Sequence, residues 1–505
     1  MKRSALVEAL ARTCAPPARS APLQSMVTRF TIKPDHAMKK NIDRREFLKQ
    51  TGEGVAMAGA VALAGACAPK KTAEAVVRSS TKSGEDPLET GKMEMRTNNV
   101  NGDKVSLLGY GCMRFTMKKD ENGKDIVDQE NVNNLVDYAL AHGVNYFDTA
   151  PVYLQGQSEK AVGIALKRHP RDSYFIATKM SNFQSTDRKV AMQLYDNAFK
   201  NLQTDYLDYY LLHSLGSGGA AGFRSRFEDN GVIDFLLGER EKGKIRQLGL
   251  SFHGNKEAFD DMMKFHDKYH WDFVQIQMNY FDWKHADGRR NVNAEYLYDE
   301  LDKREIPIVI MEPLQGGRLA RVADSVANLL KERDPEASLA SWAFRFVGSY
   351  PRVLTVLSGM VYLEHLQDNL RTFMDFQPLT DEEKIFLDTE VAGLMANYPT
   401  VNCNDCKYCM PCPYGIDIPG IFMHYNEAVN HAKVAQSVEQ ENYRELKRAY
   451  LVSYDRAVPT LRQASHCVGC KQCIPKCPQS IQIPRELRRI DAYVEKLKQN
   501  TLSSE

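Results

Sequence analysis

The chain has 505 residues, 43% of them hydrophobic, so its length and composition allow several domains and at least one large core. Its 66 Lys and Arg residues nearly balance its 65 Asp and Glu residues, which leaves a formal charge of +1. Because this charge gives no general attraction to a polyanion, a nucleic-acid partner is not expected.

The N-terminal part of the sequence predicts an export signal. Residues 1–37 show no periodic pattern and have no assigned role, and Met38 is the more natural start of translation. Residues 38–67 combine the pair Arg44-Arg45 with an apolar run that is too short and too rich in Gly and Ala to span a bilayer. This segment resembles a twin-arginine signal peptide. It implies a location in the periplasm or on the outer face of the cytoplasmic membrane.

The signal ends at a cysteine whose modification the sequence leaves open. Ala64-Gly65-Ala66-Cys67 is similar to a lipobox, although Leu63 stands one place too early. A lipid on Cys67 would attach the protein to the membrane. Residues 68–95 are polar and predict a flexible linker to the first folded domain.

Residues 96–376 alternate short apolar strands with helical patterns, which predicts a (β/α)8 TIM barrel of the α/β class. An open doubly wound sheet is the alternative, but no Gly-rich dinucleotide fingerprint follows the first strand. The eight strands are expected at Leu107–Met113, Asn145–Thr149, Tyr174–Lys179, Leu207–His213, Ile245–Ser251, Phe273–Met278, Pro307–Glu312 and Val353–Ser358.

Ionisable side chains stand at the ends of three successive predicted strands. Asp148 is followed closely by Tyr153, and Lys179 and His213 end the next two strands. Because the carboxyl ends of parallel barrel strands meet on one face, these side chains are expected to converge. A tyrosine can protonate an alkoxide, an ammonium held by a carboxylate can lower the pKa of that tyrosine, and a histidine can orient a carbonyl. The alternative is a set of ordinary polar groups at strand ends.

In their contexts FDTAPVY, ATK and LLHS, these four residues resemble the catalytic tetrad of the aldo/keto reductase superfamily. The resemblance runs from about Val105 to about Phe376. It implies hydride transfer between a nicotinamide cofactor and a small carbonyl or alcohol substrate, with Asp148, Tyr153, Lys179 and His213 as the catalytic residues.

The same resemblance implies a site for NAD or NADP in the second half of the barrel. Met311 stands where many relatives have a tyrosine that stacks on the nicotinamide, and no Lys or Arg lies between Ser358 and Asn369 to bind a 2′-phosphate. The choice between the two cofactors therefore stays open. The cofactor-binding residues implied are Ser251 and Gln277 at the carboxamide, Pro313, Leu314, Gly316, Gly317 and Arg318 at the pyrophosphate, and Ser358, Gly359 and Asn369 at the adenosine.

The stretch from Leu215 to Gly231 is rich in Gly and Ser and directly follows His213. Loops on this face of a barrel usually build the substrate pocket, so the stretch is expected either to do this or to be a mobile connection.

Eight of the eleven cysteines form two runs near the C-terminus. Two such runs, each ending in Cys-Pro, are typical of bacterial ferredoxins with two 4Fe–4S clusters, in which the fourth cysteine of a run binds the other cluster. Paired zinc sites are the alternative. The predicted ligands are Cys403, Cys406, Cys409 and Cys477 for one cluster, and Cys467, Cys470, Cys473 and Cys412 for the other.

These cysteines place a small, mainly helical iron–sulfur ferredoxin-like domain at residues 401–490. A connecting helix over 377–400 and a tail over 491–505 flank it. Ile416-Asp417-Ile418-Pro419 and Ile481-Gln482-Ile483-Pro484 follow the two runs at matching offsets, as an internal repeat would. Neither Cys14 nor Cys112 carries a partner signal.

The sequence thus predicts an exported reductase fused to a ferredoxin-type domain, with a redox partner protein as a further expectation. A protein of another class, an electron-transfer or redox-sensing protein that uses the barrel as a docking scaffold, is the alternative. The complete tetrad favours the enzyme. Hydride carries two electrons and an iron–sulfur cluster moves one, so the clusters either transfer electrons or are structural.

Overall fold

The computed structural model describes residues 91–183, 185–216, 218–286 and 291–503. The predicted signal peptide, Cys67 and the linker up to residue 90 lie outside the described residues. Within the described ranges, no helix has both the length and the apolar character needed to cross a membrane.

Twelve strands are present in the part of the chain that the structure describes. They are β1 Met95–Thr97, β2 Lys104–Ser106, β3 Leu108–Gly111, β4 Met117–Lys119, β5 Asp125–Val127, β6 Tyr146–Asp148, β7 Phe175–Met180, β8 Leu207–Leu215, β9 Ile245–Phe252, β10 Val274–Gln277, β11 Ile308–Met311 and β12 Val353–Ser358.

Eight parallel strands close into a barrel, which confirms the predicted fold. Strands β3 and β6 to β12 pair in chain order, and β12 returns to pair with β3 through Val356 and Leu108. All eight predicted strands are present, and β12 has the predicted bounds. Two antiparallel ribbons, β1–β2 and β4–β5, lie outside the barrel sheet.

The sequences of the barrel strands are short apolar runs because both faces of each strand are covered by other parts of the protein. Every residue of β12 is buried, for example. Alternate positions such as Tyr146, Tyr209 and Phe273 form an inner cluster, and the remaining positions join a larger core with the surrounding helices. This division follows from the two-residue period of a strand.

The helices surround the barrel and form most of the C-terminal domain. Five of those in the described residues begin at side-chain caps. For example, Asp187 accepts a hydrogen bond of 2.8 Å from the N–H of Lys189, and Asn255 accepts one of 3.1 Å from the N–H of Ala258. The α-helices are α1 Gln129–Ala141, α2 Ser158–Leu166, α3 Arg188–Leu202, α4 Gly219–Phe223, α5 Val232–Glu241, α6 Lys256–Tyr269, α7 Asp282–His285, α8 Ala294–Asp302, α9 Asp324–Arg333, α10 Leu339–Gly348, α11 Leu363–Phe373, α12 Asp381–Phe386, α13 Ala392–Ala396, α14 Ile418–Asn430, α15 Tyr443–Ala457 and α16 Ile483–Gln499.

The Gly- and Ser-rich stretch after β8 is anchored to the barrel by aromatic side chains. Helix α4 continues into one turn of π-helix, Arg224–Glu228. The ring of Phe223 stacks on that of Phe265 at 4.1 Å between centroids, and Phe227 has no exposed surface. These contacts give the turn a fixed place above the end of β8.

Helices α14, α15 and α16 pack around a separate core, which includes Phe422, Tyr450 and Leu487. Each half of the internal repeat begins a helix, with Pro419 in the first turn of α14 and Pro484 in the first turn of α16. Helix α16 continues beyond the predicted domain end at residue 490. It does so because its buried face extends through Val494 and Leu497.

The C-terminal domain packs on the loop that follows β11. In the described residues the two belong to one compact unit. Asn404 donates a hydrogen bond of 2.8 Å from Nδ2 to Oε1 of Glu312, and Arg318 donates to Thr400 Oγ1 at 3.1 Å and to Asn402. Gly316 lies against Asn404 so closely that a Cβ on this glycine would be 2.3 Å from the Asn404 carbonyl oxygen.

The neighbouring glycines of this loop provide a test of the packing. Gly316 and Gly317 both have positive φ, +68° and +99°, so alanine at either position adds backbone strain of about 1–2 kcal/mol. Only Gly316→Ala also collides with Asn404, since a Cβ on Gly317 meets nothing within 4 Å. We expect Gly316→Ala to lower the free energy of unfolding by roughly 1–3 kcal/mol more than Gly317→Ala.

The measurement is urea unfolding of both variants without added nucleotide, together with limited proteolysis of the segment between the two domains. Equal losses in the two variants, with unchanged proteolysis, would contradict the close packing of Gly316 on Asn404.

Candidate active site

The structure brings the four predicted catalytic residues together at the carboxyl ends of neighbouring strands. Asp148 is the last residue of β6, Lys179 lies in β7 and His213 in β8. Tyr153 begins a short 3₁₀ turn, Tyr153–Gly156, just after β6. All four side chains are buried.

Lys179 and Asp148 form a buried ion pair behind the other two groups. Lys179 Nζ donates to Asp148 Oδ1 and to the carbonyl of Thr149, the latter at 2.9 Å. The second carboxylate oxygen of Asp148 accepts a hydrogen bond of 3.1 Å from Gln275 Nε2. These contacts hold the ammonium in a fixed position.

Tyr153 lies between the ammonium and the histidine. Lys179 Nζ is 4.9 Å from the centre of the tyrosine ring, and the ring of His213 meets it edge-on with centroids 5.9 Å apart. Burial raises the pKa of Tyr153 well above its ordinary value, so its phenol is protonated. The sequence predicts that the ammonium lowers this pKa, but in the structure burial is the largest influence.

His213 is held in its neutral form. Its Nδ1 is 2.6 Å from the hydroxyl of Ser181. Burial lowers the pKa of His213 well below its usual range, and the positive charges of Lys179 and Arg226 lower it further. A neutral imidazole beside a buried ammonium suits a group that orients a carbonyl oxygen.

These residues lie on a cavity of about 1650 Å³. Asp148, Tyr153 and His213 line it, whereas Lys179 has no exposed side-chain surface and supports them from behind. Sites for one small ligand are usually about 300–1,000 Å³, so this cavity has room for a dinucleotide and a small substrate together. Eight of the ten predicted cofactor residues also line it: Ser251, Pro313, Leu314, Gly316, Gly317, Ser358, Gly359 and Asn369.

The other two predicted cofactor residues are not on the cavity wall. Gln277 donates a hydrogen bond of 2.7 Å to Asp282 and exchanges hydrogen bonds with Gln479 of the C-terminal domain. Arg318 is turned away by the two positive-φ glycines before it and points to Asn402. Both side chains connect the barrel to the C-terminal domain.

The structure adds residues that the sequence did not single out. Gln275 lies two positions before Gln277 in β10, lines the cavity and contacts Asp148. Glu312 also lines the cavity, and burial raises its pKa to about 7. The two-residue period of β10 places Gln275 on the same face as Gln277, which makes it a second candidate, whereas no local pattern distinguishes Glu312.

The C-terminal domain forms one side of this cavity. Cys406, Tyr408 and Cys477 are among the residues that line it. The phenol of Tyr408 lies close enough to that of Tyr153 to influence its pKa, so a residue from between two predicted cluster ligands reaches the predicted proton donor of the barrel.

The clustered cysteines neighbour one another in an arrangement compatible with the two predicted sets. Burial raises the pKa of Cys403, Cys406 and Cys409, and the neighbouring Cys477 raises each of them further, although Cys473 also raises the pKa of Cys409. Burial raises the pKa of the Cys473 thiol to about 11, and its neighbours Cys467, Cys470 and Cys412 raise it further.

The chemistry of these sets fits iron–sulfur clusters. All eight cysteines are free thiols rather than disulfides. Within the described ranges, no three or more His, Cys, Asp or Glu side chains form a site for a single metal ion. Four thiolates per set are the donors that a 4Fe–4S cluster uses. The cysteines of the first set would hold a cluster at the cavity, because two of them, Cys406 and Cys477, line it.

Comparisons with known protein families match both halves of the chain. The sequence model of the Aldo/keto reductase family matches residues 107–388, and that of a 4Fe-4S dicluster domain matches residues 402–482.

Curated relatives match the barrel to different extents. "Uncharacterized oxidoreductase YqkF" of Bacillus subtilis is 24% identical over 311 residues, which are 55% of this chain and 90% of that protein. "Probable aldo-keto reductase 1" of Glycine max is 30% identical over 30% of this chain and 42% of its own length. "Protein tas" of Escherichia coli is 31% identical over 32% of this chain and 52% of its own length. The chain therefore spans about half, or less, of the last two relatives.

Solved structures show similarity to the barrel region. An aldo-keto reductase from Bacillus halodurans in its holo form is 22% identical, with 59% of this chain and 96% of that chain aligned at a TM-score of 0.48. An aldo-keto reductase from Klebsiella pneumoniae in complex with NADPH is 23% identical, with 60% and 95% aligned at a TM-score of 0.47.

The grouping of the cysteines predicts which variants damage the same cluster. The anaerobically purified protein should hold about eight irons, four in each cluster. Because Cys477 lies with the first run, Cys477→Ser should reproduce the loss of iron and the electron paramagnetic resonance spectrum of Cys403→Ser. Cys412→Ser should instead reproduce those of Cys467→Ser.

Cys477→Ser and Cys403→Ser spectra that differ from each other would contradict this grouping. Zinc in place of iron, found by metal analysis of the native protein, would contradict the cluster assignment itself.

Proposed function

The chain belongs to the aldo/keto reductase family, and on that premise we propose that it transfers hydride between NAD or NADP and a small carbonyl or alcohol substrate. The observation that carries this proposal is the convergence of Asp148, Tyr153, Lys179 and His213 at one end of the barrel. Three of them line a cavity that has room for both molecules.

The cofactor would lie along the side of the cavity formed by the second half of the barrel. Ser251 and Gln275 would hold the carboxamide, since both line the cavity. A Cβ on Gly317 would meet nothing within 4 Å, so the backbone there is open to a pyrophosphate. Ser358 and Asn369, joined by a hydrogen bond of 2.8 Å, would bind the adenosine end. When bound, the nicotinamide supplies or accepts the hydride.

Tyr153 is the proposed proton donor to the oxygen of a reduced carbonyl. Its phenol is protonated in the resting site, as a donor must be. Once the proton leaves, the Lys179 ammonium stabilises the tyrosinate, and Asp148 holds that ammonium in place. Neutral His213 orients the carbonyl oxygen toward Tyr153. In the oxidation direction the same groups act in reverse.

The iron–sulfur domain has a proposed role in electron transfer. Cys406 and Cys477 of the first set line the cavity, and Cys470 of the second set is exposed. One cluster would therefore lie at the cavity and the second nearer the surface. A relay of electrons to a redox partner protein needs the clusters in this order. The clusters, when bound, move single electrons. The packing of Gly316 on Asn404 equally supports a structural role in closing the site.

Export is a further part of the proposal. The Arg44-Arg45 pattern supports twin-arginine transport, which carries folded proteins and so allows inserted clusters and a tightly bound nucleotide to accompany the chain. Attachment to the membrane through Cys67 would follow only if that cysteine is lipidated.

The proton-transfer role of Tyr153 is tested by removing its hydroxyl. Tyr153→Phe should lower kcat by about two to four powers of ten with simple aldehydes, because the alkoxide loses its acid. Binding of NADH or NADPH, followed by fluorescence titration, should be retained. Tyr414→Phe is the matched control, since Tyr414 is 48% exposed and does not line the cavity. Wild-type turnover in Tyr153→Phe would rule out the assignment.

A further inference from the structure

Among the cations that line the cavity, one lies next to His213. Arg226 lies in the π-helical turn above β8 and is part of the cavity wall. Its Nη2 donates to the carbonyl of His213 at 2.9 Å and to Asn182 Oδ1 at 3.2 Å, and Nη1 makes a long contact of 3.4 Å with the Ser214 carbonyl. Every protein acceptor of this guanidinium is therefore neutral.

The charge of Arg226 has no acidic partner in the part of the chain that the structure describes. Burial lowers the pKa of Arg226 to about 10, and no carboxylate offsets that effect. Its Nε–H is buried without a hydrogen-bond partner. An unpaired, partly buried cation with an unused donor is costly, and this cost falls when an anion binds.

Aromatic rings hold the guanidinium in place. It lies 4.7 Å from the ring centre of buried Phe227 and 5.3 Å from that of Phe183. Phe183 is 42% exposed and lines the cavity, where its ring also lies 4.9 Å from that of His213. The cavity wall beside His213 thus offers an apolar ring next to a fixed cation.

None of the four acids that line the cavity forms an ion pair with Arg226. Asp148 is paired with Lys179, Glu312 accepts a hydrogen bond from Asn404, and Asp368 accepts one from Ser338, while Glu364 lies beside Asp368 near the predicted adenosine residues. A guanidinium presents donors in a planar fork that matches the oxygens of a carboxylate or a phosphate.

We propose that Arg226 binds an oxyanion of the substrate, so that the substrate is a carbonyl compound or alcohol that also carries a carboxylate or phosphate group. This inference rests on the proposed function, because it names the substrate class of the same site. The apolar part of such a substrate would lie against Phe183, and its carbonyl would lie at His213 and Tyr153.

Matched pairs of aldehydes test the proposal. Butanal is compared with succinic semialdehyde, and glyceraldehyde with its phosphate ester, so that the two pairs separate a carboxylate from a phosphate. We expect the wild-type protein to prefer the anionic member of at least one pair. Arg226→Met should reduce that preference, expressed as a ratio of kcat/KM values, by roughly 10- to 100-fold. Most of the change should appear in KM.

Arg224→Met is the matched control. Arg224 lies in the same turn, but its side chain is 57% exposed and pairs with Glu228 at 3.5 Å. This variant should keep the wild-type preference. Arg226→Lys keeps the positive charge but lacks the planar arrangement of N–H donors. It should therefore retain an intermediate preference for the anionic aldehyde.

A measurement on the wild-type protein does not depend on how the variants fold. Butanoate and inorganic phosphate are tested as inhibitors of butanal reduction, with butanamide as the neutral counterpart of butanoate. Competitive inhibition by an anion and none by butanamide is the expected result.

Two results would overturn the proposal: no anionic preference in the wild-type protein, or equal loss of activity in Arg226→Met toward both members of each pair. The second result would mean that Arg226 only holds the ends of the strands. Reduction of butanal with an intact Tyr153 dependence would leave the proposed function standing in either case. Absence of any aldehyde reduction would instead count against the proposed function.

Discussion

A lysine ammonium with no exposed surface is costly to bury, and the catalytic end of this barrel depends on how that cost is offset. The Lys179 side chain is 0% exposed and that of Asp148 is 4% exposed. The Thr149 carbonyl accepts a further hydrogen bond from Lys179, and the amide of Gln275 donates one to Asp148. Removing one partner of such a pair typically costs about 3–5 kcal/mol, so the pair fixes the ends of β6 and β7 relative to each other. The position of Tyr153 above Lys179 follows from that arrangement.

The iron–sulfur domain and the barrel share one wall of the cavity. The loop after β11 presents Gly316 and Gly317 to the cavity, yet the same loop packs on Asn404 and sends Arg318 to Asn402. A change in the cluster region would therefore be transmitted to the substrate side through backbone contacts, and through Tyr408 to Tyr153. The barrel and the iron–sulfur domain are therefore physically coupled at the proposed catalytic site.

Much of the fold was predictable from the sequence, because strands covered on both faces read as short apolar runs. The tetrad was predictable for a related reason: its members follow strand ends, and strand ends meet on one face. How deep a particular side chain lies within the barrel was less predictable. Gln275 and Gln277 share one face of β10, and their sequence spacing does not tell which one reaches the cavity.

The residues that were not predicted depend on contacts between distant parts of the chain. Arg318 bonds to Asn402, 84 residues away, so its direction is decided by the packing of the second domain. Tyr408 reaches the barrel site for the same reason. Arg226 lies in a π-helical turn inside a Gly- and Ser-rich stretch. Such a turn has no repeating sequence pattern from which the position of one side chain could be predicted.

We propose that hydride passes directly from the nicotinamide to the substrate in the barrel, rather than as single electrons through the clusters. It is tested most directly with NADH or NADPH that carries deuterium at the transferred position, one stereoisomer at a time, and an aldehyde that the protein reduces. Mass spectrometry of the alcohol locates the label. With direct transfer we expect deuterium on the carbinol carbon from one of the two stereoisomers. An alcohol that contains no deuterium from either stereoisomer, formed while the nucleotide is oxidised, would contradict it.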